Sequence, residues 1–307
     1  MISERADQMA ELMGSIAERL SRAPDLAIRR DTAETLHTLG SEPEGVTYAE
    51  VNAGGVPALW CIPERSDAKH VLLHNHMGGT VVTSMYSDRK AAGHIAKAAG
   101  ARALVLNYRR APEHKFPAQP DDVETAYRWL LAQGKQAENI ASTGHSIGGN
   151  LAVGLAAAMR DKGLPMPAAI LSISPWYDME LKSNTIDDNA DADRLLSRQV
   201  LEFFRESWLG GTGVGFDDPR VNMLYADLRG LPPINVYYGD QELLVDESIE
   251  FAERAKAAGV EVSLQSVPGG QHSFILGGGR VPEVDEAIAA MGRWLRAKLG
   301  LAAPTTA

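Results

Sequence analysis

Cysteine, aromatic residues, basic charge and long apolar runs are all scarce in this 307-residue chain. The lone thiol, Cys61, excludes an internal disulfide framework and a zinc site built from several thiolates. It lies in the apolar, strand-like run "PALWCIP", which suits a core thiol rather than a nucleophile that must hold a stabilised thiolate. Thirty Lys and Arg against forty Asp and Glu leave a formal charge of −10, which repels phosphate backbones, so no nucleic-acid partner is expected. No stretch approaches the ~20 apolar residues of a membrane span. The opening "MISERADQMAELMGSIAERL" sets acids and polar residues into every turn, unlike a signal peptide, so the expected location is cytoplasmic, without stable membrane insertion.

What the chain does have is apolar periodicity, with 45% hydrophobic residues and enough length for a large core. Met9, Leu12, Met13, Ile16 and Leu20 recur at helical spacing over residues 3–21, and a second helix is expected over 25–39. From residue 46 the pattern changes to strands: "VTYAEV" and "VPALWCI" flank an Asn-Ala-Gly-Gly turn suited to a hairpin. Strands and helices then alternate, with strands at "HVLLH", "RALVLNY", "NIASTGH", "AAILSIS", "INVYYGD" and "EVSLQSV". Such alternation predicts an α/β fold with a mostly parallel central sheet of about eight strands, helices on both faces and a helical cap. The expected organisation is an N-terminal helical cap segment at 1–45 and a catalytic domain at 46–300. Within that domain the alternation stops over about 176–225, as it would for a cap or lid on the carboxyl side of the strands.

Gly144-His145-Ser146-Ile147-Gly148-Gly149 fits G-x-S-x-G where a strand turns sharply into a helix. Glycines two before and two after the serine remove the Cβ atoms that would clash in so tight a turn. A serine hydroxyl needs an imidazole base, and the base needs an acid to fix its tautomer. Downstream of Ser146 the chain has one histidine, His272, in "PGGQHSF". For the acid, the loop after "INVYYG" offers Asp240, Glu242 and Asp246, and spacing alone leaves the choice open.

Four blocks, "HMGG" at 76–79, "YRRAPEHKFPAQPDD" at 108–122, "GHSIGGN" at 144–150, and "GDQELLVDE" at 239–247 with "PGGQHSF" at 268–274, carry a resemblance. The chain resembles the hormone-sensitive-lipase-like (family IV) bacterial esterases of the α/β-hydrolase superfamily over about residues 70–298. Laying the family's G-x-x-D-P-L-x-D-E pattern on "GDQELLVDE" puts Glu242 at the acid position. The resemblance also implies an oxyanion hole from the backbone N–H groups of Gly78, Gly79 and Ile147. Two departures stand out: Met77 replaces the first glycine of His-Gly-Gly-Gly, and "GHSIGG" replaces the commoner Gly-Asp-Ser-Ala-Gly-Gly.

The expected activity is therefore that of a serine carboxylesterase acting on small hydrophobic short-chain esters through an acyl-enzyme, with no cofactor. Bacterial members that look similar around "GxxELLxD" open cyclic esters, so lactone hydrolysis is an alternative. A receptor on this scaffold is a third reading, disfavoured because His272 is present. Met77, Met85, Trp176, Phe203, Phe204 and Trp208 are candidates for the substrate pocket. A homodimer is compatible with the sequence. His74 and His76, one residue apart, raise a competing metal reading, which would need further ligands among His94, His114 and His145. None of these forms a compact cluster with carboxylates in sequence, and no metal is expected.

Overall fold

A computed structural model describes residues 2–302. The hairpin β1 (Val46–Ala53) and β2 (Val56–Pro63) opens the sheet. Asn52 accepts the Gly55 N–H at 2.5 Å across the turn, where Gly54 and Gly55 both have positive φ. The remaining strands are β3 (Val71–Asn75), β4 (Arg102–Leu106), β5 (Ile140–His145), β6 (Ala169–Ile173), β7 (Ile234–Gly239) and β8 (Val262–Val267). They form one eight-stranded sheet in the order β1-β2-β4-β3-β5-β6-β7-β8. Pairing is parallel from β4 to β8 and antiparallel at β1, β2 and β4. The strand order reverses around β3, and open α/β sheets bind ligands beyond the carboxyl ends of the strands at such a point.

Alternate strand residues feed opposite faces. Leu72, Ala103 and Val105 pack under α3 (Met85–Ala99) and α9 (Pro282–Lys298). Val71, Leu73 and Leu104 pack under α4 (Ala118–Ala132) and α5 (Ile147–Asp161). The α8 helix (Val245–Ala257) covers the same side beside β7. Cys61 is fully buried in the first of these layers, and burial pushes its thiol up to about 12, as expected for a core residue.

Two helical pieces lie above the carboxyl ends. The first is α1 (Glu4–Ser21), capped by the Ser3 hydroxyl, followed by α2 (Leu26–Glu34). The second helix is shorter than expected: residues Thr35–Leu39 tighten into a 3₁₀ turn. The buried stripe of α1 is Ala6, Met9, Met13 and Ile16, whereas Leu12 is 53% exposed, so its place on the apolar face is corrected. The second piece follows β6 and holds the short α6 (Thr185–Asp188) and α7 (Arg198–Leu209), which buries Leu201, Phe204, Trp208 and Leu209. Arg30 of α2 pins the first piece down, with its guanidinium forked onto Glu113 at 2.7 Å and donating to the carbonyls of Val81 and Ala111 at 2.8 Å. No helix among the described residues is long and apolar enough to cross a membrane.

Candidate active site

The turn from β5 to α5 forces Ser146 into φ 58°, ψ −123°, a strained conformation for a residue with a Cβ. It closes only because its flanks are glycine: a Cβ on Gly144 would strike the Gly148 carbonyl, and one on Gly148 would strike the Asn75 carbonyl. Ser146 Oγ lies 3.0 Å from His272 Nε2, which stands on the loop after β8. On its far side, His272 Nδ1 is 3.5 Å from Glu242 Oε2, on the loop after β7. The three groups are almost wholly sealed, at 6%, 2% and 0% exposure.

Asp240, the competing acid, is exposed and accepts the Gly269 N–H at 2.9 Å, so it shapes the histidine loop without facing the ring. Asp246 accepts the Thr185 N–H at 3.3 Å and anchors the segment after β6.

Beyond β3 the chain enters Met77-Gly78-Gly79. Gly78 and Gly79 have φ 98° and 60°; a Cβ on the first would meet the Val82 carbonyl, and on the second the Phe204 ring. Neither N–H donates to a protein acceptor among the described residues. His76 stacks on Tyr108 with centroids 4.1 Å apart, and Tyr108 Oη donates to the His76 carbonyl at 2.7 Å. Burial lowers His76 to about 4, leaving a neutral ring whose Nδ1–H donates to the Met77 carbonyl at 2.6 Å; Thr83 Oγ1 donates to the same oxygen at 2.7 Å.

The "YRRAPEHKFPAQPDD" block thus braces this loop. Beside Tyr108, Arg110 donates to the Thr83 carbonyl at 2.9 Å, and Gln119 accepts from Trp208 Nε1 at 2.9 Å.

Over Ser146 lies an apolar cavity of about 60 Å³, lined by Met77, Gly78, Gly79, Trp176, Leu196 and Phe204 among others. It shares Leu20, Val82, Leu195 and Phe204 with a wider cleft of about 530 Å³.

A family model described as alpha/beta hydrolase fold matches residues 72–276. An acetyl-hydrolase of Streptomyces hygroscopicus is 35% identical over 270 residues, covering 87% of each chain. The carboxylesterase NlhH of Mycobacterium tuberculosis is 32% identical and covers 86% of each. The crystal structure of an esterase from the bacterial hormone-sensitive lipase family superposes with a TM-score of 0.92 at 35% identity, covering 98% of this chain and 100% of that one. The chain belongs to the hormone-sensitive-lipase-like esterases of the α/β-hydrolase fold.

In this esterase-family chain the six pocket candidates separate. Met77, Trp176 and Phe204 line the cavity, and the Met77 thioether sulfur sits 3.6 Å from Ser273 Oγ, beside His272. Phe203 lines the outer cleft instead, under the Arg29 guanidinium. Met85 and Trp208 are corrected: Met85 packs into the layer beneath α3, and Trp208 turns inward against Phe116. Both are buried, and neither lines the cavity over Ser146. Ile147, bulkier than the family's alanine, packs among Trp176, Leu243 and Leu244 rather than into the cavity. Of the five histidines of the metal reading, His74 and His145 face one carboxylate, Asp88, while His76 stacks on Tyr108 and His94 turns to the Ser41 carbonyl. No cluster of three or more His, Cys, Asp or Glu with metal-binding spacing occurs among the described residues.

One residue escaped sequence reading entirely. Asp193, inside a polar run, is buried and accepts the N–H groups of Leu195 and Leu196 at 2.9 Å and that of Leu243 at 3.0 Å. Next to it, the Arg194 N–H donates to Gln271 Oε1 at 2.7 Å. The segment after β6 is thereby stitched to the loops carrying both Glu242 and His272.

Burial lowers His272 to about 4 by penalising the charged ring, with Asp193 pulling the other way. A general base must be neutral, so protonation of His272 itself removes activity only as pH falls through that lowered value. In Glu242→Gln, where no carboxylate titrates beside the ring, the residual kcat/KM for a neutral ester is expected to stay level down to below about pH 6, under the ~6.5 of a free imidazole. An acid limb centred near pH 7 or above in that variant would contradict this assignment.

Proposed function

We propose that the protein hydrolyses short-chain carboxylic esters with Ser146 as nucleophile, His272 as base and Glu242 as the acid that orients it. The observation that carries this reading is the 3.0 Å contact between Ser146 Oγ and His272 Nε2 at the floor of an apolar cavity bordered by Gly78 and Gly79. Ser146 Oγ adds to the ester carbonyl while its proton passes to His272 Nε2. The N–H groups of Gly78, Gly79 and Ile147 hold the oxyanion of the tetrahedral intermediate. As that intermediate collapses, His272 returns the proton to the leaving alcohol, and water then repeats the sequence on the acyl-enzyme. The helices of residues 4–34 and the segment about 176–225 act as the cap that keeps water from the cavity.

The cavity size supports a small acyl group. At about 10–15 Å³ per water-sized atom, 60 Å³ has room for roughly four to six heavy atoms, so acetyl to butyryl groups fit and longer chains must displace Phe204 or Leu196. The names of the relatives, acetyl-hydrolase among them, agree with this range.

A p-nitrophenyl ester series tests it. From acetate or butyrate to octanoate, kcat/KM is expected to drop about 10–100-fold, the worth of one or two misfitting methylenes. A profile rising to octanoate would refute the short-acyl assignment. Small-ring lactones in the same screen test the cyclic-ester alternative, which gains ground if a lactone is opened faster than p-nitrophenyl acetate.

A further inference from the structure

Behind the proposed oxyanion loop, three ionisable side chains meet in the dry interior. Asp88, in the first turns of α3, is fully buried. Its Oδ2 accepts the Met77 N–H at 3.1 Å and lies 3.4 Å from His74 Nε2, while its Oδ1 lies 3.2 Å from His145 Nδ1. His74 Nδ1 in turn is 3.0 Å from Thr143 Oγ1. One arrangement satisfies all these contacts: Thr143 donates to His74 Nδ1, His74 Nε2–H donates to Asp88, and His145 Nδ1–H donates to Asp88. Burial alone would raise the Asp88 carboxyl, but the two imidazoles outweigh it and hold the group ionised. The helix N-terminus adds to that preference.

The three ties fall close in sequence to the proposed oxyanion donors. Met77 immediately precedes Gly78, His145 immediately precedes the nucleophile, and His74 is the penultimate residue of β3. A peptide unit is planar, so fixing an N–H on one side and a carbonyl on the other fixes the unit's orientation. Asp88 holds the N–H and Tyr108 the carbonyl of the His76–Met77 unit, while His76 and Thr83 hold the carbonyl of the next unit, whose N–H is that of Gly78. His145 stands where the family pattern has aspartate, so Asp88 meets an imidazole donor there and not a second carboxylate.

We propose that Asp88 is a positioning residue for the oxyanion hole, acting through the Met77 backbone and dependent on His145 as its donor. The proposal rests on the serine-hydrolase reading above. In Asp88→Ala, kcat for p-nitrophenyl acetate is expected to fall about 30–100-fold, towards the loss seen when one oxyanion donor is removed, with KM within about threefold. Affinity for trifluoroacetone should fall in parallel. Ser146 Oγ adds to its carbonyl to give a hemiketal oxyanion, the serine proton passing to His272, so this probe reports on the hole itself. Asp88→Asn should recover activity to within about fivefold of wild type, the scale of one neutral hydrogen bond, since the amide oxygen still accepts the Met77 N–H.

A second pair of variants keeps the test decisive if Asp88→Ala fails to fold. His145→Asp sets carboxylate against carboxylate and should lose about 30-fold or more in kcat, and adding Asp88→Asn to it should restore most of that loss, because the amide N–H₂ donates to the introduced carboxylate. Equal kcat in His145→Asp with and without Asp88→Asn, or wild-type trifluoroacetone affinity in a folded Asp88→Ala protein, overturns the proposal. Ser146→Ala runs alongside: activity surviving there would sink the serine-hydrolase reading, whereas an inactive Ser146→Ala with unimpaired Asp88 variants sinks this one alone.

Discussion

Ser146→Ala is expected to lower kcat on p-nitrophenyl acetate by about ten-thousandfold to a millionfold, or at least ~5.5 kcal/mol of transition-state stabilisation. The reasoning is chemical: with no Oγ there is no acyl-enzyme, and His272 can at most assist direct attack by water. A residual rate above uncatalysed hydrolysis should persist, because oxyanion donors act on the water reaction too. Stability should change little, within about 1 kcal/mol, since alanine keeps a Cβ at the same φ of 58° and the lost hydroxyl had one side-chain partner. Burst kinetics with the wild type and their absence in the variant provide the check. If Ser146→Ala kept more than a few per cent of wild-type turnover while correctly folded, the nucleophile would have to be sought elsewhere. A wild-type protein that bound p-nitrophenyl butyrate without turnover would instead favour the receptor reading.

The elbow could be found in the sequence because its requirement is steric and local. A turn that excludes Cβ atoms at Gly144 and Gly148 writes itself as glycine at fixed spacing. Gly78 and Gly79 meet a similar steric demand but were reached through the family resemblance, and the alternation of strands and helices followed from a sheet covered on both faces. His272 was legible because no other histidine follows Ser146.

What stayed hidden was side-chain direction and long-range pairing. Met85 and Trp208 have the size and polarity of pocket residues, and only the rotation of their helices turns them into the core. Asp193 sat in a polar run that reads as solvated surface, yet it accepts three backbone N–H groups from two separate segments. The pairing of His74 and His145 with Asp88 spans 14 and 57 residues, so two histidines that suggested a metal serve one carboxylate. Such contacts are created by the sheet register, in which His74 lies beside Thr143 on neighbouring β3 and β5.

Glu242→Gln is the second large effect, with an expected loss of about a thousandfold to ten-thousandfold in kcat and KM changed by less than about threefold. Burial raises the Glu242 carboxyl to about 8, opposed by the Ser174 hydroxyl, the Gly239 backbone and His145, while burial lowers His272. At rest both members of the pair are therefore pressed towards their neutral forms. If His272 takes the serine proton, the imidazolium lies 3.5 Å from Glu242 Oε2, where an already ionised carboxylate stabilises it and holds the ring with Nδ1–H towards Glu242 and Nε2 towards the serine. An amide cannot supply that charge, and its N–H₂ can donate to His272 Nδ1, which would move the ring proton to Nε2 and leave no lone pair for the serine proton. Asp240→Asn offers the contrast: Asn keeps the acceptor for the Gly269 N–H, so activity should stay within about twofold. Steady-state kinetics on the two variants decide between the acids. A larger loss in Asp240→Asn than in Glu242→Gln would transfer the role to Asp240, and near-wild-type turnover in both would point past this loop to the buried Asp193 carboxylate, whose charge His272 already feels.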